Sequence, residues 1–165
     1  MTVVDLLNKA RDLGVMIATA ESCTGGLVAA ALTDIPGSSS VVERGFVTYT
    51  NLAKQEMLGV KLATLDAHGA VSEQVAQEMA EGALNHAPVQ LTVSITGIAG
   101  PGGSEHKPEG RVCFGVSGYG IDTRVETIEF GAIGRENVRL AARDHALALL
   151  YKGLSHIGEK QGDLL

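Results

Sequence analysis

The sequence predicts an α/β protein: a three-layer α/β/α sandwich on a mixed, mostly parallel β-sheet. Short β-compatible segments alternate with helix-favouring segments through the first hundred residues, an order typical of parallel strands joined by helices. Two later strand segments, 111–117 and 123–130, are separated only by a Gly-Tyr-Gly turn. They should form a hairpin, which makes at least one pairing antiparallel. No linker or shift in composition divides residues 1–165, so we expect a single domain.

The helix boundaries follow from capping patterns and apolar periodicity. Thr2 and Asp5 form a capping-box pattern before the first helix, and Ser72 should cap a later one. Glycine or proline follows most of the apolar repeats and should end those helices. In chain order we expect a helix over 3–13, a strand over 15–20, a helix closed at 36–37, a strand over 41–50, a helix over 51–58, the helix after Ser72, a strand over 89–96, the hairpin, a helix over 135–154 and a frayed tail over 158–165.

Composition excludes several classes of protein. The net charge is −6 with no Lys/Arg-rich run, which argues against a nucleic-acid surface. No apolar stretch approaches the roughly 18 residues that span a bilayer, and the first residues lack the basic start of a signal peptide. Cys23 and Cys113 are the only cysteines, too few for a disulfide framework. We expect a soluble cytoplasmic protein without nucleic-acid or membrane partners.

The segment 20–26, Ala-Glu-Ser-Cys-Thr-Gly-Gly, lies between a β-compatible run and an alanine-rich, helix-favouring run. Such a turn places Ser22 at the end of a strand, close to a helix N-terminus whose free N–H groups favour negative charge. A serine that attacks a carbonyl needs this environment for the resulting oxyanion. The alternative is that Ser22 or Thr24 only caps the helix.

A second glycine-rich loop, 97–103, also follows a predicted strand. Ligands of open α/β sheets bind at the carboxyl ends of strands, so both loops should border one cleft. Gly97 and Gly102 have the Walker spacing, but no Lys-Ser/Thr follows Gly103, and no GxGxxG pattern opens a helix. The glycines of this loop are equally compatible with a turn whose backbone conformation only glycine adopts easily, without any ligand.

A nucleophilic serine needs a base, and the best candidate lies at 49–54. Tyr49 ends a predicted strand and Lys54 lies one helical turn beyond it, so the two side chains can converge. A lysine can act as a base if burial lowers its pKa towards neutrality, and a tyrosine hydroxyl can relay the proton. The alternative is that Tyr49 packs and Lys54 is a solvated surface lysine.

The five histidines show no metal-ligand spacing. His145 follows the apolar face of the last helix and should pack in the core, whereas His68 and His106 fall in loops where either could serve as a base. Nothing in the sequence distinguishes one of them, and no GxSxG elbow accompanies Ser22.

Arg135 and Arg139 lie one turn apart at the start of the last predicted helix. This spacing places both guanidinium groups on one face, where they can clamp a phosphate or carboxylate. Salt bridges to Glu136 and Asp144 within the helix are the alternative.

Several motifs in fixed order resemble the CinA C-terminal domain, the competence/damage-inducible family that includes stand-alone nicotinamide-nucleotide amidases. The resemblance runs from about residue 3 to residue 155. The matching stretches are 19–26, 45–54, 68–72, 96–103, 107–110, and Gly134 with Arg135 and Arg139. The family's Tyr-Ser-Asn reads Tyr-Thr-Asn at 49–51, and its Lys-Pro-Val-Gly reads Lys-Pro-Glu-Gly at 107–110. Glu109 therefore adds a charged side chain near the expected cleft where the family pattern has valine.

The resemblance implies hydrolysis of nicotinamide mononucleotide to nicotinate mononucleotide and ammonia, without a metal or organic cofactor. Carried over by motif, Ser22 is the nucleophile and Tyr49 and Lys54 handle the proton. The N–H groups of Cys23 and Thr24 are candidates for the oxyanion hole. Arg139, with Arg135, would hold the substrate phosphate. The remaining substrate-binding residues expected are Gly25, Gly26, Asn51, Thr96, Gly97, Gly100 and Gly102, together with Cys23 and Thr24 themselves.

Two other functions remain compatible with the sequence. A nucleotide-binding module without turnover would keep the glycine loops and the arginines but would need neither Ser22 nor Lys54. An amidohydrolase of another small amide would keep the whole site, because substrate choice depends on the shape of the cleft. The family also suggests a homodimer or a larger homo-oligomer.

Overall fold

The computed structural model describes residues 1–104 and 106–164. Within these residues, five strands form one sheet, and six α-helices and a short 3₁₀ turn surround it. The strands are β1 (Ile17–Glu21), β2 (Val42–Val47), β3 (Leu91–Gly97), β4 (Arg111–Gly118) and β5 (Ile121–Glu129). The helices are α1 (Val3–Leu13), α2 (Leu27–Thr33), α3 (Asn51–Leu58), α4 (Leu62–His68), α5 (Glu73–His86) and α6 (Arg135–Asp163), and the 3₁₀ turn spans Ser38–Ser40.

The sheet is mixed, as predicted, with the strand order β2-β1-β3-β4-β5. Strand β1 pairs parallel with β2 and β3, whereas β4 pairs antiparallel with β3 and β5. Four strands therefore run in one direction, although the pairings divide evenly between parallel and antiparallel. The predicted hairpin is β4–β5, closed by Tyr119 and Gly120.

Helices cover both faces of the sheet, which confirms the three-layer architecture. Helices α1, α2 and α6 pack together on one face, and α5 covers the other with α3 and α4 against it. All five residues of β1 are buried, as suits a strand inside the sheet whose two faces are both covered. Strand β1 lies between the parallel strands β2 and β3, so the carboxyl ends of all three strands lie at the same edge of the sheet.

Helix α3 lies close to α5 because a glycine removes the side chain between them. A Cβ atom at Gly82 would lie 2.0 Å from the carbonyl oxygen of Leu58, the last residue of α3. Leu58 and Met79 pack in the apolar cluster on this face of the sheet. This close approach fixes the position of α3, and with it the position of Lys54.

Before α5, the main differences from the sequence predictions are two element ends and one missed helix. The strand predicted over 41–50 ends at Val47, because Thr50 turns out of the sheet and accepts the Ala53 N–H as the N-cap of α3. The helix predicted to close at 36–37 ends at Thr33, where a turn and the 3₁₀ segment begin. Helix α4 was not predicted, since its seven residues show little periodicity.

The tail predicted to fray over 158–165 is helical as far as Asp163, so that prediction is wrong for the residues that the structure describes; Leu165 lies outside them. Ile157 is buried, the side chain of Leu13 on α1 lies beside Gly158, and Gln161 Nε2 donates to the Leu13 carbonyl (3.4 Å). The extension is therefore stabilised by packing against α1. None of the helices in residues 1–104 and 106–164 is long and apolar enough to cross a membrane.

Candidate active site

Ser22 directly follows β1 and begins a tight turn into α2. Its N–H donates to the carbonyl of Ile95 (2.9 Å), which continues the pairing of β1 with β3, and the Gly25 N–H donates back to the Ser22 carbonyl (3.0 Å). Gly25 and Gly26 have φ of 57° and 108°, values that favour glycine. The N-cap of α2 is Gly26, with no side-chain capping bond, so the interpretation of Ser22 or Thr24 as a helix cap is wrong.

The N-terminus of α2 is occupied by a carboxylate from the same chain segment. Glu21 is buried at the end of β1, and its two oxygens accept the N–H groups of Val28 (2.9 Å) and Ala29 (3.1 Å). We had expected free N–H groups here to favour negative charge beside Ser22. Glu21 already accepts these N–H groups, so an oxyanion at Ser22 would be stabilised by N–H groups of the turn itself.

Lys54 reaches Ser22 from the second turn of α3. Its side chain is 1% exposed, and Nζ donates to Ser22 Oγ (3.0 Å) and to the Tyr49 carbonyl (3.3 Å). Ser22 Oγ donates to the same carbonyl at 3.4 Å. The interpretation of Lys54 as a solvated surface lysine is therefore wrong. Burial disfavours the charged form of an amine, which is the condition under which a lysine works as a base.

Tyr49 contributes to this cluster through its backbone. Its carbonyl contacts both Ser22 and Lys54, while its ring is 56% exposed and its hydroxyl accepts a bond from Arg135 Nη2 (2.6 Å). The hydroxyl, which we expected to relay a proton at Ser22, thus lies beside Arg135 at the rim of the site.

A cavity of about 300 Å³ opens over Ser22 and Lys54. Both glycine-rich loops border it, as the sequence predicts. All three expected catalytic residues line it, namely Ser22, Tyr49 and Lys54. The expected binding residues that line it are Cys23, Asn51, Thr96, Gly97, Gly100, Gly102 and Arg135. The expected binding residues that are not among its lining residues are Thr24, Gly25, Gly26 and Arg139.

The lining also includes residues that sequence reasoning did not single out. Ala70 and Val71 come from the connection between α4 and α5, and the Ala70 carbonyl accepts a bond from Thr96 Oγ1 (2.8 Å). Ile98 and Ala99 lie within the second glycine loop. These side chains are apolar, so no reactive or charged group in the sequence indicates that they line a site. The family pattern at 68–72 is the signal that could have identified the α4–α5 connection.

Charged side chains hold the second glycine loop and the α4–α5 connection in place. Glu109, the residue that departs from the family pattern, accepts the Gly102 N–H at 3.3 Å. Its carboxyl group therefore binds the backbone of the second glycine loop. Lys107 Nζ donates to the carbonyls of His68 and Val71, both at 2.5 Å. The segment 107–110 therefore stabilises two parts of the cavity wall, the loop 97–103 and the α4–α5 connection.

The two arginines of α6 face different partners. Arg135 lines the cavity and donates to the Gly100 carbonyl (2.7 Å) as well as to Tyr49. Arg139 donates from Nε to the Cys23 carbonyl (3.1 Å) and from Nη2 to the Thr24 carbonyl (3.3 Å). In this structure the two guanidinium groups therefore share no partner: Arg135 reaches the cleft, and Arg139 holds the Ser22 turn.

The alternative of salt bridges within α6 is also wrong for these two arginines. Asp144 pairs instead with its neighbour Arg143. Among the ion pairs of residues 1–104 and 106–164, neither Arg135 nor Arg139 takes part in one.

The cysteine and histidine side chains do not contact Ser22 Oγ or Lys54 Nζ in the hydrogen bonds of the described residues. Cys23 lines the cavity, but burial raises the pKa of its thiol to about 12, so it is neutral at ordinary pH and a poor nucleophile. His145 packs on Phe114, with ring centroids 4.6 Å apart, but it is only half-buried and its Nε2 contacts Glu126 Oε1, so it lies at the margin of the core. His68 and His106 line a neighbouring cavity beside α4. Within the described residues, no cluster of His, Cys, Asp and Glu could hold a metal ion.

The N–H groups of Cys23 and Thr24 remain as candidate donors to an oxyanion. In the part of the chain that the structure describes, neither donates a hydrogen bond to a carbonyl or side-chain oxygen. Two backbone amides beside a buried hydroxyl and a buried amine are the parts that acyl transfer requires.

Comparison with known proteins agrees with this architecture. The family model of the CinA C-terminal domain matches residues 2–154, and the chain belongs to that family. The nicotinamide-nucleotide amidohydrolase PncC of Enterobacter agglomerans is 56% identical over 131 residues, which cover 78% of this chain and 79% of that protein. The crystal structure of the competence/damage inducible protein CihA from Agrobacterium tumefaciens superimposes with a TM-score of 0.89 at 48% identity, covering 93% of each chain.

Some relatives are much longer. A CinA-like protein of Chlorobium phaeobacteroides is 51% identical over 146 residues, which cover 86% of this chain but 34% of that protein. The chain thus spans about a third of the length of such relatives, and it matches PncC over most of the length of both proteins.

Proposed function

We propose that the protein is a nicotinamide-nucleotide amidase that hydrolyses the carboxamide of nicotinamide mononucleotide, with Ser22 as nucleophile and Lys54 as base. The observation that carries the chemistry is the 3.0 Å contact between Ser22 Oγ and the buried Lys54 Nζ on the floor of the cleft. The substrate is inferred from relatives such as PncC, which bear the name of this activity.

In the first half of the reaction, neutral Lys54 takes the proton of Ser22 Oγ, which attacks the carboxamide carbon. The N–H groups of Cys23 and Thr24 donate to the oxyanion. Lys54 then gives its proton to the departing amide nitrogen, the C–N bond breaks, and ammonia leaves. The Tyr49 carbonyl, in contact with both Ser22 and Lys54, orients the pair.

In the second half, water attacks the ester formed on Ser22. Lys54 accepts a proton from this water and returns it to Oγ as the ester bond breaks, which releases nicotinate mononucleotide and regenerates the hydroxyl. We propose that Arg135 binds the substrate phosphate at the mouth, and that the loop 97–103 with Asn51 and Thr96 shapes the nucleotide site. No step needs a metal or an organic cofactor.

The direct test is product release from nicotinamide mononucleotide by the purified protein, with and without a chelator. We expect equal amounts of ammonia and nicotinate mononucleotide, at a rate that the chelator does not change. Free nicotinamide and glutamine serve as comparison amides, because neither carries the nucleotide that the cleft is proposed to bind. Faster hydrolysis of either would favour an amidohydrolase of another small amide. Binding of the nucleotide without turnover would favour a binding module and contradict the proposal.

A further inference from the structure

Arg139 binds the backbone of the turn that carries the nucleophile. Its guanidinium lies on α6, more than a hundred residues away in sequence, and donates to two consecutive carbonyls of the turn, those of Cys23 and Thr24. Charged donors make stronger hydrogen bonds than neutral ones and polarise the groups that accept them. The contact therefore affects the peptide groups of the turn as well as their position.

The first of these bonds acts on a candidate oxyanion donor directly. The carbonyl of Cys23 and the N–H of Thr24 belong to one peptide group. A cation bound to the oxygen withdraws electron density from that group and makes its N–H a better donor.

The second bond acts on the other candidate donor through one intermediate step. The Thr24 carbonyl shares its peptide group with the Gly25 N–H, which donates to the Ser22 carbonyl at 3.0 Å. The Ser22 carbonyl in turn shares its peptide group with the Cys23 N–H. Both candidate donors thus lie on peptide groups polarised by one guanidinium.

The turn is shaped to admit this guanidinium. A Cβ atom at Gly25 would lie 3.3 Å from Arg139 Nη2, and the φ of 57° also favours glycine there. Arg139 is not among the lining residues of the cavity over Ser22, whereas Arg135 is. The contacts of Arg139 are therefore those of a residue that supports the turn, and Arg135 is the arginine within reach of a bound nucleotide.

We propose that Arg139 is a positioning residue that fixes and polarises the Cys23 and Thr24 peptide groups for the oxyanion, and that it does not hold the substrate phosphate. This inference rests on the proposed role of Ser22 as nucleophile. It assigns the two arginines of α6 separate tasks, Arg139 in the chemical step and Arg135 in nucleotide binding.

The test separates kcat from nucleotide affinity in Arg139→Met and Arg139→Lys. We expect Arg139→Met to lower kcat about 10- to 100-fold, less than the roughly 10²–10³-fold for removing an oxyanion donor outright, because the donors remain but are weaker. The lysine variant should recover part of kcat, since an ammonium can donate to one of the two carbonyls. KM should change less than about threefold, and the nucleotide Kd measured in a Ser22→Ala background should be unchanged. Arg143→Met, on the same helix, is the matched control.

A second readout does not depend on the identity of the substrate. The rate at which a fluorophosphonate labels Ser22 reports on the nucleophile and its oxyanion donors, and it should fall in Arg139→Met in parallel with kcat. If wild type is labelled but leaves nicotinamide mononucleotide intact, the proposed substrate is wrong while the labelling rates still decide the role of Arg139.

Three results would overturn the inference. A raised KM and Kd with unchanged kcat would make Arg139 a phosphate ligand. An unchanged rate of Ser22 labelling in a folded Arg139→Met variant would show that Arg139 has only a structural role, even if the variant unfolds at a lower temperature. A folded wild-type protein whose Ser22 is not labelled at all would remove the oxyanion site on which the inference depends.

Discussion

Ser22→Ala is expected to lower kcat for nicotinamide mononucleotide by at least about 10³-fold, the scale on which enzymes lose activity when a covalent nucleophile is removed. Alanine keeps Cβ and removes only the hydroxyl, whose contacts are Lys54 and the Tyr49 carbonyl. The fold should therefore persist, and the nucleotide should still bind. Steady-state kinetics and calorimetric binding on the same preparation check both parts.

Ser38→Ala is the matched control. Ser38 is also a buried serine, 7% exposed like Ser22, but it lies in the 3₁₀ turn and does not line the cavity. It should keep wild-type turnover. Equal turnover in Ser22→Ala and wild type would contradict the serine mechanism and return attention to the histidines.

Lys54→Met is expected to lower kcat by about 10²–10⁴-fold, the usual contribution of a positioned general base. Methionine retains an unbranched apolar stem but cannot accept the proton of Ser22. Lys54 lies at the cavity floor, but it is almost fully buried and its Nζ contacts Ser22 and the Tyr49 carbonyl. The nucleotide Kd should therefore change little, and the loss should appear in kcat. Stopped assays across neutral pH, with circular dichroism to confirm folding, make the comparison.

Lys61→Met supplies the control for removing a lysine. Lys61 is exposed at the start of α4 and does not line the cavity. Wild-type kcat in Lys54→Met would show that another group activates Ser22. A loss of affinity with kcat retained would make Lys54 a binding residue.

Local signals predicted much of the fold. The capping box at Thr2 and Asp5 and the cap at Ser72 both form, and the apolar repeats of α1 and α5 face the core. These features depend on residues three or four apart, so a sequence displays them directly. The hairpin was equally local, because its strands are joined by two residues.

Features that depend on distant contacts were missed. The last turns of α6 look polar and free in the sequence, yet they pack on α1 from the other end of the chain. The short helix α4 has too few turns to show a period. The antiparallel pairing of β3 with β4 joins segments separated by a long loop, which no spacing rule reports.

In the candidate site, too, the sequence predicted some features and missed others that depend on contacts between distant segments. The family motifs predicted that Ser22 and Lys54 act together, and the structure contains a hydrogen bond between their side chains. Which atom of Tyr49 meets them could not be read from the sequence, because a residue at a strand–helix junction can present either its side chain or its carbonyl. The spacing of Arg135 and Arg139 predicted one shared face, but their partners are set by the approach of α6 to two different loops.

The most direct test of the central claim is to map the covalent intermediate in wild-type protein. Nicotinamide mononucleotide is mixed with excess enzyme, quenched in acid at times shorter than one turnover, and the digested peptides are weighed by mass spectrometry. The account predicts a transient nicotinate-nucleotide ester on Ser22 that is absent from Ser22→Ala. An adduct on another residue, or complete turnover without any adduct at any quench time, would contradict it.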